Sequence, residues 1–223
     1  MFGVRHDLTF LDKTINRLIS EPIVKGKILF YGHSLFTRWS PRWGHRAMED
    51  DIRMKDGSQA VVNHGFGTST AADLLFNYHR LVKPWEPRML VIASFGNDTS
   101  RGYSAAETVN YVAHVCDYAS TDFPGIPIIC FSASVNIKRK GVDDYFTRSR
   151  DEYNELLRDF CAKRDNCTFI DLAQWPMFYT NPEDIGNLDK VREDIYVDDQ
   201  VHFNQLGYDL LRDSVLNLLD AYL

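Results

Sequence analysis

The sequence predicts an α/β fold, a three-layer α/β/α sandwich around a five-stranded parallel sheet. Two observations carry that expectation. Five short apolar runs, at 27–31, 60–63, 88–94, 127–132 and 168–172, each end at or beside Gly, Ser, Asn or Asp, and stretches of helical periodicity separate them. Strands that alternate with helices pair in parallel, because each helix carries the chain back across the sheet. The runs are also nearly uninterrupted: Met89-Leu90-Val91-Ile92-Ala93 has no polar face, as a strand covered on both sides requires.

Taken in order, a helix is expected over 7–20, outside the sheet and ending before Pro22. The first strand, Ile28-Leu29-Phe30-Tyr31, runs into Gly32-His33-Ser34, and the second into Asn63-His64-Gly65-Phe66-Gly67-Thr68-Ser69. Over 69–82, Ala71, Leu74, Leu75, Tyr78, Leu81 and Val82 recur at helical spacing. The third strand leads to Phe95-Gly96-Asn97-Asp98, and Ser104-Ala105-Ala106-Glu107 has the form of a capping box opening a helix with Val109, Val112, Ala113 and Cys116 on one face. A helix over 144–163 uses Phe146, Tyr153, Leu157 and Phe160; the last, from about Asn204, uses Leu211, Val215, Leu218 and Tyr222. With no repeat, low-complexity stretch or linker, residues 1–223 read as one domain, with 1–22 as a helical extension.

Composition narrows the function. Thirty-one acidic against 25 basic residues leave a net charge of −6, which offers no electrostatic basis for binding nucleic acid. Lys138-Arg139-Lys140 is a short basic cluster that reads as solvated loop. No apolar run approaches a membrane span, and Met1–Asp7 lacks the basic and apolar regions of a signal peptide, so a cytoplasmic location is expected. The four cysteines lack metal-ligand spacing. Cys116 and Cys130 read as packed thiols; Cys161 and Cys167 flank a turn and could pair if oxidised, although reduced thiols suit the cytoplasm.

In an open parallel sheet the strand ends gather on one edge, where ligands bind. Ser34, the 65–69 turn, 96–98 and 132–136 all fall there. Near the other terminus, Asp199-Gln200-Val201-His202 sets a carboxylate three residues before an imidazole, so the acid can orient a general base. Ser34, in a sharp turn after a buried strand, is the nucleophile such a base would serve. The amides of Ser34, Gly67 and Thr68 and the side chain of Asn97 are candidates to hold an oxyanion. Each residue also has a plainer reading. Ser34 and Asn97 could fix their own turns, and Asp199 could cap the last helix in competition with Asn204. A metal site of His33, His64 and Asp199 is conceivable, though the triad uses the same region without a cation. His6, His45, His79 and His114 read as surface or helix residues.

Four blocks in order, Gly32-x-Ser34, the glycine-rich turn at 65–69, Gly96-Asn97-Asp98 and Asp199-x-x-His202, resemble the SGNH (GDSL-type) family of serine esterases and acylhydrolases over about residues 27–215. The resemblance implies a flavodoxin-like outline, Ser34 as nucleophile, Asp199 and His202 as its partners, and Asn97 as an oxyanion donor. This chain departs from the usual pattern in having His33 before the serine, Phe95 upstream of Gly96-Asn97, and Thr68 where the second block has its oxyanion glycine. A β-branched residue is strained there if φ is positive.

The residues and the resemblance together predict a serine ester hydrolase, needing no metal or cofactor and acting on short-chain, first of all acetyl, esters of carbohydrates or small molecules. Lysophospholipase or thioesterase activity, or a non-catalytic carbohydrate- or ligand-binding relative of the fold, are the alternatives. His33, Phe36, Trp39 and Trp175 are candidates to contact substrate, alongside Trp43, Met177, Phe178 and Tyr179. For aromatic residues at such spacing, core packing competes equally.

Overall fold

The computed structural model describes residues 3–223. In chain order it contains α1 (Asp12–Ile19), β1 (Ile28–Gly32), α2 (Ser34–Thr37), α3 (Met48–Asp51), β2 (Val61–Gly65), α4 (Ala71–Leu81), β3 (Met89–Ala93), α5 (Asn97–Ser100), α6 (Ala105–Asp122), β4 (Ile128–Phe131), α7 (Tyr145–Ala162), β5 (Cys167–Ile170) and α8 (Gln205–Leu219). All five strands pair in parallel in the order β2-β1-β3-β4-β5. The reversal of strand order at β1 and β3 opens a crevice above their carboxyl ends.

Alternation along each strand divides the core in two. Leu29, Tyr31, Leu90 and Ile92 face a cluster completed by Ile15 and Leu18 of α1, Leu74 and Tyr78 of α4, Val112 and Cys116 of α6, and Leu157 of α7. Ile28, Phe30, Met89 and Val91 face the opposite cluster, which includes Trp39, Tyr208, Leu211 and Val215. Both faces of β1 and β3 are therefore buried, and their uninterrupted apolar sequence follows from that. The helix starts are fixed locally: Thr70, Ser104 and Asp144 each accept a hydrogen bond from the third residue of the helix they precede, in capping boxes.

Several features differ from the sequence expectation. The first helix begins at Asp12 rather than at residue 7, and Arg80 of α4 holds it through Asp12 at 2.9 Å and Asn16 at 2.8 Å. His6 is not a surface residue: its ring lies 2.9 Å from the buried Asp73 carboxylate. From Leu172 to Lys190 the chain makes four 3-10 turns with no periodic apolar face, so no pattern announced them. All four cysteines are buried and unpaired, and the Cys116 and Cys130 sulfurs lie 4.0 Å apart. Among the described residues no helix is long and apolar enough to cross a membrane.

Two glycines set the spacing of the crevice. A Cβ on Gly32 would lie 2.4 Å from the Ala93 carbonyl oxygen, and one on Gly65 would lie 2.3 Å from the Thr37 amide nitrogen. Their absence lets β3 and α2 approach the chain where it turns into Ser34. Gly32→Ala is accordingly expected to lower unfolding free energy by about 3 kcal/mol, the upper part of the usual overpacking range, because backbone must move to admit the methyl. Denaturant unfolding of the two proteins measures this; a loss below about 1 kcal/mol would contradict the packing account.

Candidate active site

Ser34 opens α2 immediately beyond β1, so its amide lies in the first turn of a helix, where N–H groups lack intrahelical acceptors. His33 precedes it as the cap: its Nδ1 accepts a hydrogen bond from the Leu35 amide at 3.2 Å. That bond leaves the ring proton on Nε2 and makes His33 a neutral, fixed element of the turn. Burial, helped by repulsion from His202, pulls its pKa down to about 4, against a weaker opposing contact with the Ser94 backbone. His33 is therefore unsuited to act as a base near neutrality.

The base is positioned from the far end of the chain. An isolated antiparallel bridge between Tyr196 and Phe203 pinches off residues 197–202. Within this loop Asp199 Oδ1 accepts from the amides of Val201 and His202, both at 2.9 Å. Its Oδ2 lies 2.7 Å from His202 Nδ1, and His202 Nε2 lies 2.9 Å from Ser34 Oγ. The plainer reading of Asp199 as a helix cap gives way, because Asn204 caps α8 by accepting from Gly207 at 3.1 Å. With Nδ1–H donating to the carboxylate, Nε2 is the ring atom free to take the serine proton.

Electrostatics support that arrangement. Burial works against ionising Asp199, but the hydrogen bonds from His202 and Val201 outweigh it and hold the carboxyl down at about 2. Burial also lowers the pKa of His202, the Asp199 hydrogen bond opposes this, and the charge of Arg38 adds to the lowering. Arg38 Nη1 stands 3.5 Å from Asp199 Oδ2, and its guanidinium stacks on Trp43 at 4.6 Å. Sequence reasoning missed Arg38, and its only signal was its position one turn along the helix that begins at Ser34.

Three loops converge on the serine, and each holds a non-glycine residue in the left-handed region: Thr68 (φ 65°), Phe95 (φ 85°) and Gln200 (φ 62°). Such a residue costs on the order of 1–3 kcal/mol, and strain of this kind concentrates where a backbone must aim groups at a ligand. The strain expected for Thr68 is therefore present. A Cβ on the neighbouring Gly67 would lie 4.0 Å from Ser34 Cβ, so this turn borders the hydroxyl. Asn97 donates one amide hydrogen to the Ser69 carbonyl at 2.9 Å, which ties the second loop to the third and orients its side chain at the rim. Asp98 anchors the same junction from inside, accepting from Ala71, Phe95 and the Ser94 hydroxyl. Burial raises its pKa to about 6, partly offset by those bonds.

His33, Ser34, Asn97 and His202 line a cavity of about 220 Å³. Three of the candidate substrate contacts do not. Phe36 and Trp39 are packed in the core beneath α2, and Trp175 is half-buried edge-on against Phe131, because their rings complete the second hydrophobic cluster. Gly67 and Thr68 border a separate groove beside β2. Much of the remaining wall is apolar, with Leu35, Phe95, Phe146 and Phe203, and its polar part includes Ser134, Asn136, Lys138, Arg139 and Arg150, none of them singled out by a catalytic motif. The imagined metal site is also overturned: His64 is buried at Trp85 with Nδ1 2.6 Å from the Leu81 carbonyl, and no cluster among the described residues could hold a metal ion.

A serine, an imidazole and a carboxylate thus stand in one hydrogen-bonded line at the carboxyl edge of a parallel sheet. Residues 30–210 match the profile of the GDSL-like lipase/acylhydrolase family, and the chain belongs to that family. Similar solved structures share the fold at low identity. A GDSL-like lipase from Bacteroides thetaiotaomicron superposes with a TM-score of 0.70 at 17% identity, covering 97% of this chain and 100% of that one. An acetyl-xylooligosaccharide esterase from Geobacillus gives 0.65 at 18%, covering 88% and 95%. A psychrotrophic esterase from Pseudoalteromonas, inhibited by monoethylphosphonate, gives 0.65 at 13%, covering 89% and 98%. No curated protein sequence matches the chain.

The charges lead to two expected outcomes. His33 and His64 both have pKa values lowered from 6.5 to about 4, so the unfolded chain takes up two protons that the folded one refuses. Stability should fall as pH drops from 6.5 to 4, with Asp98 offsetting part of it because its raised pKa works in the reverse direction. Urea unfolding across that range measures the slope, and His64→Gln should flatten it; a stability that rises on acidification would refute the assignment. Separately, the His202 ring followed by NMR should titrate below 6.5, and Arg38→Gln should move its pKa upward, since a cation that disfavours the imidazolium is removed.

Proposed function

We propose that this chain is a serine carboxylic-ester hydrolase with Ser34, His202 and Asp199 as its triad. The observation that carries the reading is the unbroken line from Asp199 Oδ2 through the His202 ring to Ser34 Oγ, at 2.7 and 2.9 Å. Ser34 Oγ attacks the ester carbonyl while His202 Nε2 takes its proton. The resulting oxyanion is held by the amides of Ser34 and the 67–68 turn and by the remaining Asn97 amide hydrogen. Collapse breaks the ester bond, His202 protonates the departing alcohol, and an acyl-Ser34 ester remains. Water, deprotonated by His202, then releases the acid and restores the serine. Asp199 keeps the ring in the required tautomer and stabilises the imidazolium.

For substrate we propose short acyl groups, acetyl first, on a carbohydrate or small-molecule alcohol. The cavity of about 220 Å³ supports a small acyl group better than a long chain. A cytoplasmic setting is part of the proposal, supported by four buried, unpaired thiols.

Purified protein should hydrolyse p-nitrophenyl acetate faster than the butyrate and the butyrate faster than the octanoate. Ser34→Ala should lower kcat by on the order of 10³ or more and abolish labelling by a fluorophosphonate probe, which reacts only with an activated serine. Absence of both turnover and labelling in the wild-type protein would sink the hydrolase reading and favour a binding protein.

A further inference from the structure

Resting on the hydrolase reading, we propose that the ester substrate carries an anionic group, a carboxylate or phosphate, bound by Lys138 and Arg150 beside Ser34. The chain as a whole is acidic, with 31 carboxylates against 25 basic residues. The catalytic cavity inverts that balance: Lys138, Arg139 and Arg150 line it, and no Asp or Glu does among the described residues. A cavity of one charge sign with low-dielectric walls concentrates ligands of the opposite sign.

The three cations differ in how they are occupied. Arg139 is engaged structurally, paired with Asp144 at the start of α7 and stacked over Phe146 at 5.0 Å. Arg150 pairs only with its sequence neighbour Asp151, at 2.7 Å, and its side chain is mostly withdrawn from solvent. Lys138 has no carboxylate partner among the described residues within ion-pair distance, yet its backbone is fixed: the amides of Ile137 and Lys138 both donate to the Gln200 carbonyl, at 3.1 and 3.2 Å. The basic segment is thus tied to the loop that carries Asp199 and His202, so a charge held there is held in register with the base.

A second observation points to a ligand at the same wall. Ser134 and Asn136 line the cavity, and their Oγ and Oδ1 atoms are buried with no hydrogen-bond partner among the described residues. Buried polar atoms are nearly always paired, so two orphaned ones on residues that line the cavity leave bonding capacity that a side-chain rotation turns towards a ligand. Ser134 can donate to an anion, and Asn136 can accept from a hydroxyl beside it. Together these groups suit an ester of a hydroxy acid, a sugar acid or a sugar phosphate better than an uncharged one.

The test compares two matched ester pairs, one with the charge on the alcohol side (phenyl acetate against meta-acetoxybenzoate) and one with it on the acyl side (p-nitrophenyl hexanoate against the mono-p-nitrophenyl ester of adipic acid). At low ionic strength the charged member of one pair should have a kcat/KM roughly tenfold or more higher, as a charge-assisted hydrogen bond supplies. In the double variant Lys138→Gln, Arg150→Gln the ratio should collapse towards one, as it should for the wild type at about 1 M salt, where charges are screened within about 3 Å. Calorimetric binding of meta-hydroxybenzoate and adipate to Ser34→Ala, with and without the two charge substitutions, separates the two readings. Turnover without preference for charge in either pair overturns the anion site and leaves the hydrolase. Charge-dependent binding without turnover of any ester keeps the site and removes the hydrolase. Neither binding nor turnover overturns both.

Discussion

The bond between His202 Nε2 and Ser34 Oγ joins residues 168 positions apart in sequence, and much of the structure exists to hold its two ends together. Two loops cannot supply that precision unaided, since ordering them costs conformational entropy that a single hydrogen bond does not offset. The support comes from packing. Tyr208 of α8 donates to the Leu35 carbonyl at 3.2 Å and lies 5.7 Å from Trp39, ring centre to ring centre. Phe203, next to His202, packs edge-on against Tyr208. Trp39 thus supports the site from beneath, by docking the helix that follows the His202 loop.

Strain and anchoring recur around this joint. The loops after β2 and β3 and the Asp199–His202 loop each hold a left-handed, non-glycine residue. Such backbone persists only where the surroundings over-determine it. Asp98 does that from within, bonding the ends of two loops to the start of α4, and the Asn97–Ser69 bond does it at the rim. The loops around Ser34 are thereby fixed relative to one another. Such preorganisation is where catalysis of acyl transfer draws most of its advantage, because the dipoles need not reorient as charge develops.

Charge follows a similar division. Two histidines near the sheet edge, His33 and His64, are kept neutral by burial and act as structure. His202 is half-buried and balanced between desolvation, Asp199 and Arg38, which leaves it able to exchange a proton. Lys138, Arg139 and Arg150 line the cavity beside Ser34 and no carboxylate among the described residues does, Asp199 standing behind the His202 ring.

Much of this was legible in the sequence. Apolar runs without a polar face determined a parallel sheet, and period-3.6 stretches between them determined its helices, because burial on both faces leaves no other pattern. Gly32-x-Ser34 and Asp199-x-x-His202 were legible because local turn chemistry places each side chain relative to its own backbone. Anything set by packing between distant segments lay beyond it. Phe36 and Trp39 are core and Trp175 packs half-buried against it, since an aromatic residue near a site reads identically in either role until its neighbours are known. Lys138 and Arg139 looked like solvated loop, and Arg38 and Arg150 carried no motif. Arg38 stands one helical turn from Ser34, but only the tertiary arrangement brought Lys138, Arg139 and Arg150 beside Ser34, because the loop after β4 returns over the crevice and the Gln200 carbonyl pins it there.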